Sequence, residues 1–353
     1  MKILVVQSGG PSPGSNPALA GAISACHDGC ELLGAVGGWI GLAKGNVISL
    51  NGLKPDQIAS SPSPYLVTFR DRTSEDAIMA SIRRLGVDAI LIIGGEGSTA
   101  FVKRLRSRAD IETLVVAKTI DNDLGPFHHD LGYPSSAERV ADFAVRMRYD
   151  ASSYVGYVEA DLMQVMGRDA GWLTLASALA GKHAPDLFLL PEATYDVEEL
   201  LAEVKRVIAR AGKALVAISE GVTIEDGKLV RATDYQRAGA APALRDLLQA
   251  QGIRTRYEWP GILYRCVEPN ERDRKEGIDL GRLAIEKLLK GQEGVLGPDE
   301  RGKPELVTLD EASKRYVPFS FLNGFLPSPE ALRYLRQVCA FHESSWTEPL
   351  SLA

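Results

Sequence analysis

The sequence predicts an α/β protein with mainly parallel β-sheets. Short β-branched runs bounded by glycine alternate with helical patterns, which is typical of βαβ units. The length of 353 residues suggests two domains, or one large α/β unit with a second lobe. Ligands of open parallel sheets bind where the strands end, so the informative residues are expected just after the strands.

The predicted strands are six apolar runs, each followed by a polar, glycine-rich or proline-marked break: Ile3–Val6, Ala89–Ile93, Leu114–Ala117, Leu162–Val165, Leu187–Leu190 and Leu215–Ile218. Crossover helices are predicted at Pro17–Ala25, Glu75–Arg84, Val197–Arg210 and Asp279–Lys290. Asn16 is the expected N-cap of the first helix, with Pro17 at its first position. The polar stretch Gly297–Pro304 is expected to form a turn or surface loop.

Composition excludes several classes of function. The formal net charge is -6, so there is no basic footprint for nucleic-acid binding. No apolar run approaches the roughly 20 residues of a transmembrane helix, and the N-terminus resembles a strand rather than a signal peptide. We therefore expect a soluble, cytoplasmic protein that does not bind a membrane.

The four cysteines are too few and too scattered for a disulfide framework. Cys26 and Cys30 are four residues apart, which predicts that they lie on one face of a helix, beside His27. A metal site would need a second pair or a suitably spaced histidine, and neither follows in the sequence. A metal role for this pair is thus disfavoured.

The first candidate site is the loop Gln7–Asn16, which joins the first strand to the first helix. Its glycines let the backbone approach a phosphate, and the following helix contributes unsatisfied N–H groups. A tight βα turn without a ligand explains the same residues equally well.

A second glycine loop, Gly94–Ala100, follows the strand Ala89–Ile93. It formally fits a dinucleotide fingerprint, but the next strand ends in Lys118 instead of the acid that would hold a ribose. This substitution favours phosphate over a nicotinamide dinucleotide. Glu96 lies between the glycines, and a carboxylate beside phosphates suggests a bridging Mg²⁺.

The third loop, Lys118–Asp123, places a lysine and two carboxylates directly after a predicted buried strand. Phosphoryl transfer to an alcohol needs a carboxylate to accept the hydroxyl proton, cations to neutralise the moving group, and Mg²⁺ to hold the donor. The alternative is an Asn/Asp turn that caps the next helix. The Walker motif and the protein-kinase motifs are both absent from the sequence.

Taken together, these loops resemble the phosphofructokinase A family. The resemblance covers nearly the whole chain and rests on five motifs in order: Gly-Gly-x-x-x-Gly-x-Asn at 9–16, Gly-Gly-Glu-Gly-Ser at 94–98, Lys-Thr-Ile-Asp-Asn-Asp at 118–123, Met-Gly-Arg at 166–168 and Ser-Glu-Gly at 219–221. Further details, such as Gln-Ser-Gly-Gly at 7–10 and Asn-Gly-Phe at 323–325, are most similar to the branch that contains pyrophosphate-dependent enzymes.

The resemblance implies two Rossmann-like lobes with the active site in the cleft between them. A donor-binding lobe would comprise residues 1–131 and about 265–292, and an acceptor-binding lobe residues 132–264 and about 293–353. The family assembles as dimers or tetramers, so a homodimer or homotetramer is expected. The implied reaction is Mg²⁺-dependent transfer of a phosphoryl group from pyrophosphate to the 1-hydroxyl of fructose 6-phosphate.

The resemblance also implies a role for each matching residue. Asp121 would be the base, Asp123 and Thr119 would help to hold the acceptor and the metal-bound donor, and Arg168 would stabilise the transferring group. Glu96 is the expected metal ligand. The implied donor-binding residues are Gly9, Gly10, Arg70, Gly95, Gly97, Ser98 and Lys118, and the implied acceptor-binding residues are Met166, Gly167, Glu220, Arg256 and Arg265. A salt bridge at a helix N-terminus for Arg168, and a helix cap for Glu220, are the structural alternatives.

Several alternatives to this function remain open. Members that use pyrophosphate usually have aspartate where this chain has Gly97, which favours ATP, whereas Lys118 matches the pyrophosphate users and Phe101 would crowd an adenine. An acidic stretch at 154–161, apolar Ile262 and the sequence His-His-Asp at 128–130 depart from the sugar-phosphate pattern, so a polyol or free sugar is an alternative acceptor. A non-catalytic nucleotide or phosphate sensor and a dehydrogenase are the remaining possibilities. The retained Asp121, Asp123 and Arg168 argue against the sensor.

Overall fold

The computed structural model describes residues 1–27, 29–68, 74–106, 108, 111–153, 157–232 and 239–339. Up to residue 153 the helices and strands are β1 (Lys2–Gln7), α1 (Ser15–Ala25), β2 (Glu31–Ala35), α2 (Gly38–Ala43), β3 (Val47–Ser49), α3 (Pro55–Ala59), α4 (Glu75–Leu85), β4 (Ala89–Gly94), α5 (Glu96–Arg106), β5 (Glu112–Ala117), β6 (Leu124–Gly125) and α6 (Tyr133–Ser153).

The remaining helices and strands are β7 (Ala160–Val165), α7 (Trp172–Ala176), β8 (Leu187–Leu189), β9 (Tyr195–Asp196), α8 (Val197–Ala211), β10 (Ala214–Ser219), β11 (Val222–Glu225), β12 (Lys228–Arg231), α9 (Ala240–Ala250), β13 (Thr255–Glu258), α10 (Ile262–Arg265), α11 (Glu271–Leu288), β14 (Gly294–Pro298), β15 (Pro304–Val307), β16 (Ser313–Lys314), β17 (Leu322–Asn323), β18 (Leu326–Pro327) and α12 (Pro329–Val338). Two 3₁₀ helices, Ser177–His183 and Phe319–Phe321, complete this set.

The chain divides into two compact α/β units, the first formed by residues 1–136 and 265–315. Its seven-stranded sheet has the order β15-β14-β5-β4-β1-β2-β3, parallel except for the two edge strands β15 and β3. Separate apolar clusters pack around opposite faces of the sheet, because side chains alternate along buried strands. The strand order reverses direction between β1 and β4, which is where ligands of such sheets bind.

The second unit is formed by residues 137–264 and 316–353, of which the structure describes those given above. Its main sheet is parallel, with the order β13-β7-β10-β8, and an antiparallel sheet β11-β12-β9 lies within the same unit. β7 and β10 are neighbours, so the loops that follow them leave the same edge of the sheet. No helix among the described residues is long and apolar enough to cross a membrane.

The prediction of an α/β fold with mainly parallel sheets is confirmed, and each of the six predicted strands is present. The last predicted helix is longer than expected, because α11 begins at Glu271 where the Asn270 side chain accepts a hydrogen bond from Asp273 N (2.8 Å). α11 packs closely on α1, and a Cβ at Gly281 would lie 1.9 Å from the carbonyl oxygen of Ala18. Only glycine permits this approach of the two helices.

The first unit extends further along the chain than the sequence boundaries suggest. Residues 294–298 form β14, which pairs in parallel with β5, and this pairing keeps the chain in the first unit up to residue 315 rather than about 292. The stretch 297–304 was expected to be a turn or loop. Its ends instead belong to β14 and β15, which form an antiparallel pair, and only its centre is a turn.

Two expectations about α1 are wrong. The helix begins at Ser15 with Gly14 as its N-cap, and Asn16 lies inside the first turn because its side chain is bound by other segments. At the other end α1 stops at Ala25, so Cys26 and Cys30 do not share a helical face. They form a disulfide in the loop before β2, with Cα atoms 5.5 Å apart.

Candidate active site

The loop after β1 is supported by a buried positive charge. Lys118 is 2% exposed, and its Nζ donates to the carbonyl oxygens of Ser8 (2.8 Å) and Gly10 (3.0 Å). Gly9 has a φ of +85°, a conformation that favours glycine, and its carbonyl accepts a hydrogen bond from Thr68 Oγ1. The ammonium group therefore stabilises the loop and gives the predicted phosphate-binding backbone a positive potential.

The loop after β4 leads directly into a helix. The carbonyl of Gly95 accepts the N–H groups of Ser98 (3.0 Å) and Thr99 (3.1 Å), so the first turn of α5 begins at the predicted donor site. The N–H groups of a first helical turn lack intrahelical acceptors and attract anions. Gly97 is exposed, and a Cβ built there meets no described heavy atom within 4 Å. None of the described residues therefore lies against the turn at Gly97.

Side-chain hydrogen bonds join these two loops. Ser98 Oγ donates to Ser8 Oγ (2.9 Å), which also accepts a hydrogen bond from Trp39 Nε1 (3.0 Å). The Trp39 ring packs against Phe101, with ring centroids 4.7 Å apart, and the Arg104 guanidinium lies 5.5 Å from the Phe101 centroid. Phe101 lies one helical turn after Gly97, so aromatic side chains fill the space beside α5. Trp39 belongs to no motif, so the sequence alone does not identify it as part of the site.

Asn16 and Gln7 hold a third segment close to the first loop. Asn16 Nδ2 donates to the carbonyl of Ser63 (2.6 Å), and Asn16 Oδ1 accepts from Tyr65 N (2.8 Å) and Gln7 Nε2 (3.2 Å). These contacts explain why Asn16 does not cap α1. Arg70, the predicted donor-phosphate arginine, lies outside the described residues, a few positions after this segment.

The segment of residues 119–130, called here the aspartate loop, follows β5. Asp121 N donates to Thr119 Oγ1 (3.1 Å), which fixes the start of the loop. Asn122 is fully buried and has a φ of +56°, and Asp123 is 8% exposed. The two aspartates therefore flank a sharp left-handed turn rather than a regular element.

Three predicted acceptor residues come together in the second unit. Met166 and Gly167 directly follow β7, and Glu220 directly follows the neighbouring strand β10. Gly167 N donates to Glu220 Oε1 (3.4 Å), and Met166 N donates to the hydroxyl of Tyr264 (2.8 Å). Gly167 has a φ of +119°, and a Cβ there would lie 2.4 Å from the carbonyl oxygen of Ala170. A glycine is required at this position for the loop to take this path.

Arg168 pairs with its neighbour in this structure. Its Nε and Nη2 lie 3.2 and 2.7 Å from Asp169 Oδ2, and half of its side chain is exposed. Exposed ion pairs of this kind contribute about 0–1 kcal/mol, so the contact between Arg168 and Asp169 is itself weak.

Arg256 is not brought to the loop that contains Met166. It lies in β13, opposite Asp161 of β7. Asp161 is four residues before the end of β7, so this position is roughly 13 Å along the strand from the loop that contains Met166. Its guanidinium makes ion pairs with Asp161, which is buried, and with Asp150. Arg265 ends α10 and belongs to the first unit, and its buried Nε has no hydrogen-bond partner among the described residues.

The described residues offer a hard divalent cation one carboxylate, that of Glu96. Glu96 occupies the first turn of α5, and its carboxylate has no hydrogen bond or ion pair with any described residue. No group of three or more His, Cys, Asp or Glu side chains that could hold a metal is found in the described part of the chain. This donor set suits Mg²⁺, which usually binds one or two carboxylates together with substrate phosphates and water.

Comparisons with known proteins agree with these features. A family model described as Phosphofructokinase matches residues 2–288. The pyrophosphate–fructose 6-phosphate 1-phosphotransferase of Dictyoglomus thermophilum is 31% identical over 311 residues, covering 84% of this chain and 88% of the relative.

Solved structures show the same fold. The crystal structure of the pyrophosphate-dependent phosphofructokinase from Marinobacter aquaeolei has a TM-score of 0.81 at 23% identity, covering 96% of this chain and 91% of its own. The corresponding enzyme from Nitrosospira multiformis has a TM-score of 0.81 at 22% identity, with the same coverage.

The two α/β units, the glycine loops and the aspartate loop define a phosphotransferase. Enzymes of this kind generally need a divalent metal. The chain belongs to the phosphofructokinase family.

Proposed function

We propose that this enzyme transfers a phosphoryl group from pyrophosphate to the 1-hydroxyl of fructose 6-phosphate, with Mg²⁺ as the metal. The first unit binds the donor through Gly9, Gly10, Gly95, Gly97 and Ser98, and the second binds the acceptor through Met166, Gly167 and Glu220. The 31% identical relative carries this activity in its name, which supports both substrates.

The observation that carries the choice of donor is the aromatic packing beside α5. Phe101 and Trp39 fill the space one helical turn beyond Gly97, with ring centroids 4.7 Å apart. A donor that consists of two phosphates is held by the α5 N-terminus and the Lys118 charge without displacing these rings. A nucleoside attached to the same phosphates would need that space.

The mechanism follows from the chemistry of the side chains. The 1-hydroxyl oxygen attacks the nearer phosphorus, an O–P bond forms, the bridging P–O bond of pyrophosphate breaks, and phosphate leaves. Asp121 accepts the hydroxyl proton, and Asp123 and Thr119 help to hold the substrates. Arg168 leaves Asp169 and donates to oxygens of the transferring group, because a guanidinium matches a phosphoryl group with paired donors.

Glu96 would hold the metal together with donor oxygens, and Mg²⁺ when bound supplies charge neutralisation at the phosphates. EDTA should therefore abolish turnover, and added Mg²⁺ should restore it. Full activity in the chelator would contradict the role of Glu96.

A matrix of two donors and two acceptor classes tests the proposed reaction. We expect turnover with pyrophosphate and fructose 6-phosphate, and little with ATP or with unphosphorylated polyols. Asp121→Asn keeps the side-chain size but removes the proton acceptor, so kcat should fall about 10²-fold or more while the donor KM changes little. Asp310→Asn is the control, because the Asp310 side chain is 99% exposed. Near wild-type turnover of Asp121→Asn would overturn the assignment of the base.

Trimming the aromatic side chains tests the choice of donor directly. Phe101→Gly opens the space beside α5, so ATP activity should rise while pyrophosphate activity stays near the wild-type value. A wild-type enzyme that already prefers ATP would show that Phe101 and Trp39 do not exclude the nucleoside.

We also propose that the protein acts in the cytoplasm as a homodimer or homotetramer, as the family resemblance implies. Trp259, Ile262 and Leu263 are 57%, 65% and 57% exposed and lie within five residues of the chain, which supports burial against a second copy. Arg265 remains a proposed ligand of the acceptor phosphate, because its buried Nε has no hydrogen-bond partner among the described residues. The same role for Arg256 requires that its guanidinium leave Asp161 and Asp150. Sedimentation velocity measures the oligomeric state, and a monomer that is fully active would contradict this part of the proposal.

A further inference from the structure

Arg315 makes an unusually dense set of contacts with the aspartate loop. Its Nε and Nη2 donate to the carbonyl oxygen of Asn122 at 3.0 and 2.8 Å, and Nη2 also donates to Asn122 Oδ1. Its Nη1 donates to the carbonyl oxygens of His128 (2.7 Å) and Phe127. Its backbone N–H donates to the carbonyl oxygen of Asp123 (2.8 Å). One residue thus binds two separate stretches of the loop, residues 122–123 and 127–128.

Strand pairing places Arg315 next to the aspartate loop, although the two are far apart in the sequence. The strand β16 pairs antiparallel with β6, which lies within the aspartate loop, and Arg315 follows β16 directly. Its side chain is 17% exposed. Buried carbonyl groups that lose their donors destabilise the fold, so the guanidinium stabilises the conformation of the aspartate loop.

Asn122 links these contacts to the two aspartates. It lies between Asp121 and Asp123, is fully buried, and holds a φ of +56°. Its Oδ1 also accepts a hydrogen bond from Asp130 N (2.8 Å), so the turn is bound on two sides. A change of the backbone at Asn122 would rotate both neighbouring carboxylates, since they are attached to the same turn.

We propose that Arg315 is a positioning residue for the reaction: it fixes the left-handed turn at Asn122 and thereby the direction of the Asp121 and Asp123 carboxylates. It touches the loop that carries the base, not the reacting atoms. This inference rests on the proposed function, because it requires Asp121 to be the base. A planar guanidinium suits the role, since it offers five donors in fixed directions to several acceptors, which an ammonium group does not.

The first test compares Arg315→Ala with a matched control. Arg148 is a similarly buried arginine, 22% exposed, that donates to the carbonyl of Ala184 and to Asp186, both at 2.7 Å, and lies outside the proposed site. Arg315→Ala should lower kcat roughly 10²-fold, as expected for a small displacement of a catalytic group, with each KM changed less than about threefold. Arg148→Ala should lower Tm but not kcat. Equal losses of kcat in the two variants would overturn the proposal.

Arg315→Lys keeps the positive charge, and it provides a second test of the proposal if Arg315→Ala fails to fold. We expect kcat well below the wild-type value at an unchanged folded fraction, because lysine cannot reproduce the planar donors. Added guanidinium at low millimolar concentration should partly restore Arg315→Ala and leave Arg315→Lys unaffected. Wild-type kcat in a folded Arg315→Lys enzyme would overturn the need for a guanidinium.

A double-mutant cycle separates this proposal from the proposed function. If Arg315 acts through Asp121, the loss caused by Arg315→Ala should largely disappear when Asp121→Asn is already present. A loss that persists in full would overturn the route through Asp121 while leaving Asp121 as the base. Near wild-type turnover of Asp121→Asn alone would instead overturn the proposed function.

Discussion

Lys118 shows how a single residue can stabilise a loop and prepare it for an anion. Its ammonium group is 2% exposed, and burying an unpaired charge would be costly. The carbonyls of Ser8 and Gly10 accept its hydrogen bonds at 2.8 and 3.0 Å, which compensates for the lost contacts with water. Lys118 therefore places an ammonium group directly against the backbone of the first glycine loop.

Gly97→Asp tests whether the residue at position 97 limits the length of the phosphoryl donor. The space around a Cβ at Gly97 is open, so the fold accommodates the new side chain. The added carboxylate would repel the α-phosphate of ATP, whereas pyrophosphate ends before that point. Activity with pyrophosphate should stay within about tenfold of wild type, and any ATP activity should disappear. Equal loss with both donors, measured as kcat/KM, would show that this position does not distinguish them by length.

Arg256→Met tests whether Arg256 is needed for stability. Asp161 is 2% exposed, and removing Arg256 takes away its ion-pair partner and leaves Lys213 as the nearby positive charge. The free energy of unfolding should fall by about 3–5 kcal/mol in urea titrations. Arg256→Met combined with Asp161→Asn should recover much of this loss, because both charges are then absent. A stable single variant with a raised KM for the acceptor would favour phosphate binding by Arg256.

At the level of elements, the sequence predicts the strands well and the helix ends less well. The strands β1, β4 and β5 contain apolar runs that are followed by Gln7, Gly94 and Lys118, so local pattern is sufficient. The start of α1 depends on tertiary contacts, since Gln7 and Tyr65 bind the Asn16 side chain that would otherwise cap the helix. Local propensity contains no information about those partners.

The disulfide at the far end of α1 should affect stability but not catalysis. α1 has 11 residues and is roughly 16 Å long, so the Cys26–Cys30 loop is distant from the glycine loop at its start. Closing a five-residue loop contributes about 2 kcal/mol in the chain-entropy model. Cys26→Ser should lower Tm, with kcat unchanged. Reducing the wild-type enzyme with dithiothreitol should have the same effect, and a loss of kcat in either case would contradict the prediction.

At the scale of the whole molecule, the proposed site draws on stretches far apart in the chain. Motif loops such as 94–98 and 118–123 could be recognised in the sequence because each carries its own chemistry. Arg315 could not, because it lies 193 residues after Asn122 and belongs to no motif. Its role becomes visible only when the pairing of β16 with β6 brings the two segments together.

Two titratable groups of the aspartate loop affect the pH dependence of the whole fold in opposite directions. Burial raises the pKa of Asp130 from 3.8 to about 7. Burial, together with repulsion from His129, lowers the pKa of His128 from 6.5 to about 4. Between pH 3.8 and about 7, Asp130 binds more protons in the folded state than in the unfolded state. Between about pH 4 and 6.5, His128 binds fewer protons in the folded state than in the unfolded state. Stability should therefore fall with rising pH because of Asp130 and rise because of His128.

Single substitutions should separate these two contributions. Asp130→Asn retains an oxygen to accept the hydrogen bond from Leu124 N (2.9 Å), and it removes the contribution that falls with pH. The unfolding free energy of this variant minus that of wild type should increase from pH 4 to 7. For His128→Gln the same difference should decrease from pH 4 to 6.5. Urea titrations across this range, followed by tryptophan fluorescence, measure both differences. A flat difference for Asp130→Asn would mean that the buried carboxyl titrates alike in the folded and unfolded states, so that the Arg315 charge offsets the effect of its burial.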